Sequence, residues 1–136
     1  MTRRLQALVL VAALAGAGPA AAASDYIFDI AKRDPGVIRI WSAIVPPAYG
    51  RHAWIKKLEG TTFPVESAQV GGKAFYLGAV CKPHDCGGNS VVFLIATDDS
   101  RAYGLLSSQT LSVAEAPFGK PDPEALAIMR KYMKSH

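Results

Sequence analysis

The sequence predicts an α+β fold, an antiparallel β-sheet with helices packed on one face. Three observations predict it. Two helix starts lie early in the chain, at Ser24 and at Asp34-Pro35. The middle carries apolar runs rich in β-branched and aromatic residues, punctuated by Gly71-Gly72, and helical spacing returns after Asp122-Pro123.

Ahead of these elements stands MTRRLQALVLVAALAGAGPAAAA. It has a short basic start (Arg3, Arg4), an apolar run from Ala7 to Ala15 and a small-residue exit at Ala21, Ala22 and Ala23. That order is the pattern of a secretory signal peptide. The apolar run is shorter than the roughly 20 residues needed to span a bilayer, and Gly16, Gly18 and Pro19 follow it. The expected division is a signal peptide over 1–23 and one domain over 24–136. Cleavage removes two of the 15 basic residues and no acid, leaving 13 against 11, a formal charge of +2. No run of lysine or arginine exceeds two and none is interleaved with aromatics, so nucleic acid is not an expected partner. No second stretch is long and apolar enough for a membrane span.

In chain order, SDYIFDIAKR places Tyr26, Ile27, Ile30 and Ala31 at helical spacing, with Ser24 as N-cap. Asp34-Pro35 opens a second helix through VIRIWSAIV. That run fits helix or strand by pattern alone, but the Asp-Pro start favours helix and Pro46-Pro47 must end it. RHAWIKKLEG supplies one or two helical turns up to Gly60. PVESAQV and KAFYLGAVC then read as two strands joined by a tight glycine turn. VVFLIAT and AYGLLSS form the next pair around Asp98-Asp99-Ser100-Arg101. The run Val91 to Ala96 is too continuously apolar for a strand with one wet face, so it belongs mid-sheet under a helix. After Asp122-Pro123, Leu126, Met129, Tyr132 and Met133 fall on one helix face, with Lys131 and Lys134 toward its C-terminal end. Trp41, Trp54 and Phe93 are expected in the core.

Between the second and third of these strands lies CKPHDC, Cys81 to Cys86, holding both cysteines and one of three histidines. In an oxidising compartment, two cysteines separated by four intervening residues are most simply a disulfide. A redox pair is disfavoured because the spacing is not CxxC. Zinc on Cys81, His84 and Cys86 would need a fourth ligand from Asp85 or a distant His52, and no second Cys or His pair sits at finger spacing. No metal or cofactor is therefore expected. Catalysis has little support either: there is no GxSxG, P-loop, GxGxxG or HExxH, and no pair of carboxylates stands out. His84 and Asp85 are sequence neighbours whose side chains diverge on an extended backbone. Two readings of the loop stay open. It is either a stiff binding tip presenting Lys82, His84 and Asp85 with Pro83 fixing the backbone, or a stapled hairpin whose histidine is merely solvated.

The hexapeptide, followed by Gly87 and an apolar strand, resembles the signature loop of the inhibitor of vertebrate lysozyme (Ivy) family of bacterial periplasmic proteins. The resemblance extends through AWIKKLEGTTFPVESAQVGGKAFYLGAVCKPHDCGG to Gly104-Leu105-Leu106-Ser107-Ser108, covering residues 53 to 108. The N-terminal helices match only in kind, and Gln109 to His136 does not align by eye. The resemblance implies a non-enzymatic periplasmic inhibitor of c-type lysozyme, protecting peptidoglycan. Its loop, closed by Cys81 and Cys86 and supported by Lys82, Pro83 and Asp85, would enter the lysozyme cleft so that His84 meets the catalytic carboxylates. Asp85 has two readings, a charge contact with a basic lysozyme and an Asx-type bond within the loop. An alternative partner is the cell's own lytic transglycosylase. A homodimer is a further implied partner, because the family's sheet can support one. His52 and His136 receive no role.

Overall fold

A computed structural model describes residues 25–136 of the chain. The signal-peptide reading of 1–23 lies outside the described residues, and the N-cap of α1 is Tyr26, whose N–H donates to the Asp29 carboxylate at 3.3 Å, in place of the expected Ser24. Three short helices come first: α1 (Ile27–Arg33), α2 (Gly36–Ile44) and α3 (Ala53–Lys56), with a single 3₁₀ turn at Pro47–Tyr49. Six strands follow: β1 (Thr61–Thr62), β2 (Glu66–Val70), β3 (Lys73–Cys81), β4 (Asn89–Ala96), β5 (Ala102–Ser108) and β6 (Val113–Phe118). The last element is α4 (Pro123–Ser135). The sheet is antiparallel throughout, in the order β1-β3-β4-β5-β6, and β2 pairs with β3 beyond β1 on the same edge.

The helix starts follow their sequence signals. The Asp34 carboxylate accepts a hydrogen bond from the Gly36 N–H (3.1 Å) at the entry to α2, and Asp122 caps α4 by accepting from the Ala125 N–H at 2.8 Å. The α2 helix stops before Pro46-Pro47 as expected. Gly71 and Gly72 both have positive φ, 57° and 76°, the pair of left-handed residues that a two-residue hairpin turn requires.

The α+β class and the antiparallel sheet agree with the sequence reading, but the helices do not share one face. Alternation along β4 sends Val91, Phe93 and Ile95 into a core with α1, α2 and α3, and sends Val92, Leu94 and Ala96 into a second core with α4. All six of these residues are fully buried, so the apolar run reports a strand covered on both faces. The β6 strand was not expected. VAEAPF has weak strand character, and its Pro117 is tolerated because the strand lies at the sheet's edge, where a missing N–H costs no ladder bond with an outer neighbour.

Across the first face runs a row of alternating glycine and phenylalanine. Gly78 pairs with Phe93, Phe93 with Gly104, and Gly104 with Phe118. A Cβ on Gly78 would strike the Phe93 ring, and one on Gly104 would strike the Phe118 ring. The rings thus lie flat over the glycines and leave room for Trp41, whose ring meets Phe118 at 5.2 Å and Phe93 edge-on at 6.3 Å. The Trp41 indole N–H donates to the Ile55 carbonyl at 2.7 Å, and the Ser42 hydroxyl donates to the Lys56 carbonyl at 2.9 Å, tying α2 to α3. Gly104→Ala is expected to destabilise the fold by about 1–3 kcal/mol through overpacking against Phe118, read as a fall in Tm.

At the sheet end opposite CKPHDC, the Lys73 ammonium donates to Asp98 (3.0 Å) and Ser100 (2.8 Å), joining two turns. Hydrogen bonds from Ser100 and Lys73 hold the Asp98 carboxyl down to about 2. Next to it, Asp99 behaves oppositely. Burial, reinforced by the neighbouring Asp34 carboxyl, pushes the Asp99 pKa up, and Asp99 Oδ1 has no hydrogen-bond partner among the described residues. The folded state holds this proton more tightly than the unfolded chain, where Asp titrates near about 3.9. Its contribution to stability is therefore present below that pH and is lost as pH rises through the raised folded value. Asp99→Asn, which suits the residue's φ of 59°, is expected to raise Tm at pH 7 and to leave it unchanged near pH 3. Thermal melts across that range check the sign.

Candidate functional site

The β3 strand ends at Cys81 and β4 begins at Asn89, so CKPHDC caps the end of the two central strands. Cys81 is buried and pairs with Ser90 across the sheet, while Cys86 is exposed. The two are joined in a disulfide with their Cα atoms 5.0 Å apart. Both sulfurs are thereby removed from the zinc ligand set weighed above, and no group of three metal-ligating side chains occurs among the described residues.

Within the staple the backbone is specified residue by residue. The Lys82 N–H donates to the Asn89 carbonyl at 3.1 Å, extending the β3–β4 ladder one step past Cys81. The Asp85 N–H donates back to the Lys82 carbonyl at 3.0 Å, closing the four-residue turn Lys82-Pro83-His84-Asp85. Pro83 occupies its second position and His84, with φ of 62°, its third. This is the signature of a type II turn, whose second position suits proline and whose third requires positive φ. Among non-glycine residues, histidine is one of the few enriched in that left-handed region. Pro83, His84 and Asp85 are exposed, so the imidazole stands at the tip of the turn.

The two charged members of the loop face each other. Lys82 Nζ lies 3.8 Å from Asp85 Oδ2, and the Thr110 hydroxyl reaches the same Asp85 carboxylate at 3.5 Å. At such exposure this ion pair contributes little to stability, but it occupies the Asp85 carboxylate with loop and neighbouring-turn contacts in place of an Asx turn.

Sequence reasoning missed what lies beneath. Asn89 and Ser108 are buried polar side chains, each only 1% exposed, directly under the loop. Asn89 Oδ1 accepts from the Ser108 hydroxyl (2.7 Å) and from the Thr110 N–H (3.2 Å), and Asn89 Nδ2 donates to the Asp85 carbonyl at 3.3 Å. The turn between β5 and β6 supports the loop from one side: the Gln109 N–H donates to the Gly88 carbonyl at 2.8 Å, and the Gln109 side chain lies against Gly88. The only sequence sign of this arrangement is the polar pair Asn89-Ser90 opening an otherwise apolar strand.

The other two histidines sit elsewhere in the fold. His52 precedes α3, and His136 at the end of α4 stacks on Tyr132 with ring centroids 3.9 Å apart. Trp41, Trp54 and Phe93 are buried in the core as expected. No helix among the described residues is long and apolar enough to cross a membrane.

These features define a loop-presenting α+β domain: a sheet buried on both faces that holds one stapled, exposed turn at its end. The chain belongs to the family described as inhibitor of vertebrate lysozyme (Ivy), whose sequence model matches residues 39–135. It is similar to an inhibitor of vertebrate lysozyme from Pseudomonas aeruginosa, 27% identical over 146 aligned positions that cover 99% of this chain and 95% of that one. It also resembles an uncharacterized protein of Yersinia pestis, 30% identical over 87 positions covering 64% of this chain and 54% of the other. An Escherichia coli inhibitor of vertebrate lysozyme is 30% identical over 56 positions, covering 41% of this chain and 35% of the relative.

The staple closes a short loop, so in chain-entropy terms it is worth about 2 kcal/mol. Cys81→Ser with Cys86→Ser is expected to lower unfolding stability by about that amount while leaving the far-UV circular dichroism unchanged. Chemical denaturation of the double variant against the parent measures it.

Proposed function

We propose that the protein is a periplasmic inhibitor of c-type lysozyme that acts by inserting the Cys81–Cys86 loop into the lysozyme cleft, with His84 as the principal contact. The observation that carries this reading is the exposed His84 at the apex of a type II turn, in a chain of the lysozyme-inhibitor family. The relatives from P. aeruginosa and E. coli bear the same name. Export through cleavage of residues 1–23 would deliver the domain to the compartment where its cysteines oxidise.

The chemistry of the target explains why the contact should be an imidazole. A c-type lysozyme holds two carboxyl groups in one cleft, one kept protonated by its apolar pocket and the other ionised. An imidazole has two ring nitrogens pointing in different directions. Neutral, it donates at one and accepts at the other; protonated, it donates at both. It can therefore bridge both carboxyl groups, whereas a lysine would present a single point charge. The loop would also fill the space of a sugar ring. No bond is made or broken, so inhibition is stoichiometric and reversible.

The staple and Pro83 lower the entropic cost of docking, because the loop has little conformational freedom left to lose. Lys82 and Asp85 face each other at 3.8 Å, and the His84 side chain makes no hydrogen bond among the described residues, so the imidazole is the tip's uncommitted polar group.

His84→Asn is the decisive variant, since asparagine tolerates the left-handed backbone and isolates the loss of the imidazole from any change in turn geometry. The expected result is an unchanged Tm and a Kd for c-type lysozyme raised at least about 30-fold, equivalent to ~2 kcal/mol. Inhibition as strong as the parent's would sink the insertion reading. A lytic transglycosylase titrated in parallel measures whether a related cleft is also a target.

A further inference from the structure

We infer that Asn89 is a positioning residue for the inhibitory surface, a buried latch that fixes the direction of His84 by tying its turn to the β5–β6 connection. The inference rests on the insertion reading above and names a residue through which that reading would operate.

The disulfide alone does not orient the tip. It joins Cys81 to Cys86; between them the backbone is further held by Pro83, by the Lys82 N–H on the Asn89 carbonyl and by the Asp85-to-Lys82 turn bond, and the Asp85 carboxylate has only exposed contacts with Lys82 and Thr110. Asn89 adds the buried side-chain restraint on the turn's last peptide. Its Nδ2 makes the one side-chain hydrogen bond to the loop backbone among the described residues, to the Asp85 carbonyl. Both polar backbone groups of the residue following His84 are then held, the N–H by Lys82 and the C=O by Asn89. The His84 side chain has no hydrogen bond among the described residues, so its direction is inherited from the peptide units on either side.

The far side of the amide is anchored as firmly. Asn89 Oδ1 accepts from Ser108 Oγ, which in turn accepts from the Leu111 N–H at 3.2 Å, and from the Thr110 N–H. The result is a run of hydrogen bonds from the β5–β6 turn through Ser108 and Asn89 to the loop, whose central Ser108–Asn89 link is sealed from water, both residues being 1% exposed. The position needs an acceptor with room for two donors and a donor on the opposite side of one short planar group. Asparagine fits this need: aspartate lacks the donor, glutamine is one methylene longer, and an apolar residue would leave the buried Ser108 hydroxyl and the Thr110 N–H without their shared acceptor.

A merely structural polar residue would lower stability without acting through His84. A double-mutant cycle separates the two roles. Asn89→Ala is expected to raise the Kd for c-type lysozyme about 10-fold in the parent and to have no further effect in a His84→Asn background. Ser108→Ala, which loosens the latch from the far side without touching the loop, should show the same non-additivity at a few-fold. It decides the matter by itself if Asn89→Ala fails to fold. Equal losses in both backgrounds, or no loss in the parent background, would overturn the positioning role while leaving insertion standing. If His84→Asn inhibits as well as the parent, insertion and positioning fall together.

Discussion

The structure depends on the packing of Trp41 onto the Gly78-Phe93-Gly104-Phe118 row. Each ring needs a glycine beside it, and the indole needs both rings. That demand fixes register, because a slip of one residue between β3 and β4 or between β4 and β5 would send a phenylalanine to the α4 face and a side chain into the place of each glycine. The Ile55 carbonyl that accepts from Trp41 links the same row to α3, and through it to β1 and the base of the loop. Register in the middle of the sheet therefore decides what happens at its end. With Phe93 opposite Gly104, Asn89 falls opposite Ser108, and the latch beneath the loop is assembled by the same alignment.

Much of this could be read from the chain before folding. Asp34-Pro35 and Asp122-Pro123 marked helix starts because a carboxylate cap and a first-turn proline are local requirements, met by adjacent residues. Gly71-Gly72 marked a hairpin for the same reason. What could not be read was relational. The α4 stripe of Ala125, Met129 and Tyr132 specifies a buried face but says nothing about which side of the sheet receives it, and β4 is equally apolar on both. The β6 strand escaped because an edge strand needs little β character, being held by one neighbour. Phe93 and Phe118 were visible as aromatics, but that their rings need glycines comes only from cross-strand pairing at long sequence separation.

The candidate site divides along the same line. CKPHDC was legible as a staple and a tip, since the cysteine spacing, the proline and the signal-peptide pattern expected over 1–23 are all read locally. The type II turn was half legible: Pro83 suits its second position, but nothing in the sequence demanded a left-handed backbone at His84. Asn89 was illegible, because its three partners come from Asp85, Ser108 and Thr110, two of them on a different strand pair. A buried asparagine at the start of an apolar strand is an anomaly whose meaning appears only when its partners are known.

The left-handed histidine bears on the choice between a solvated hairpin and a binding tip. Glycine meets the conformational demand of a type II third position without strain, whereas an L-residue there costs of order 1 kcal/mol. Around this one strained residue the fold places a disulfide, a proline, a turn hydrogen bond and a buried amide, and it leaves the imidazole itself exposed. A hairpin that needed only to be closed would gain nothing from a side chain at the strained position. Strain held in place by several independent restraints is typical of residues whose direction matters to a partner. The restraints converge on His84 although none of them touches its ring, which favours the reading in which this loop is built to present that ring.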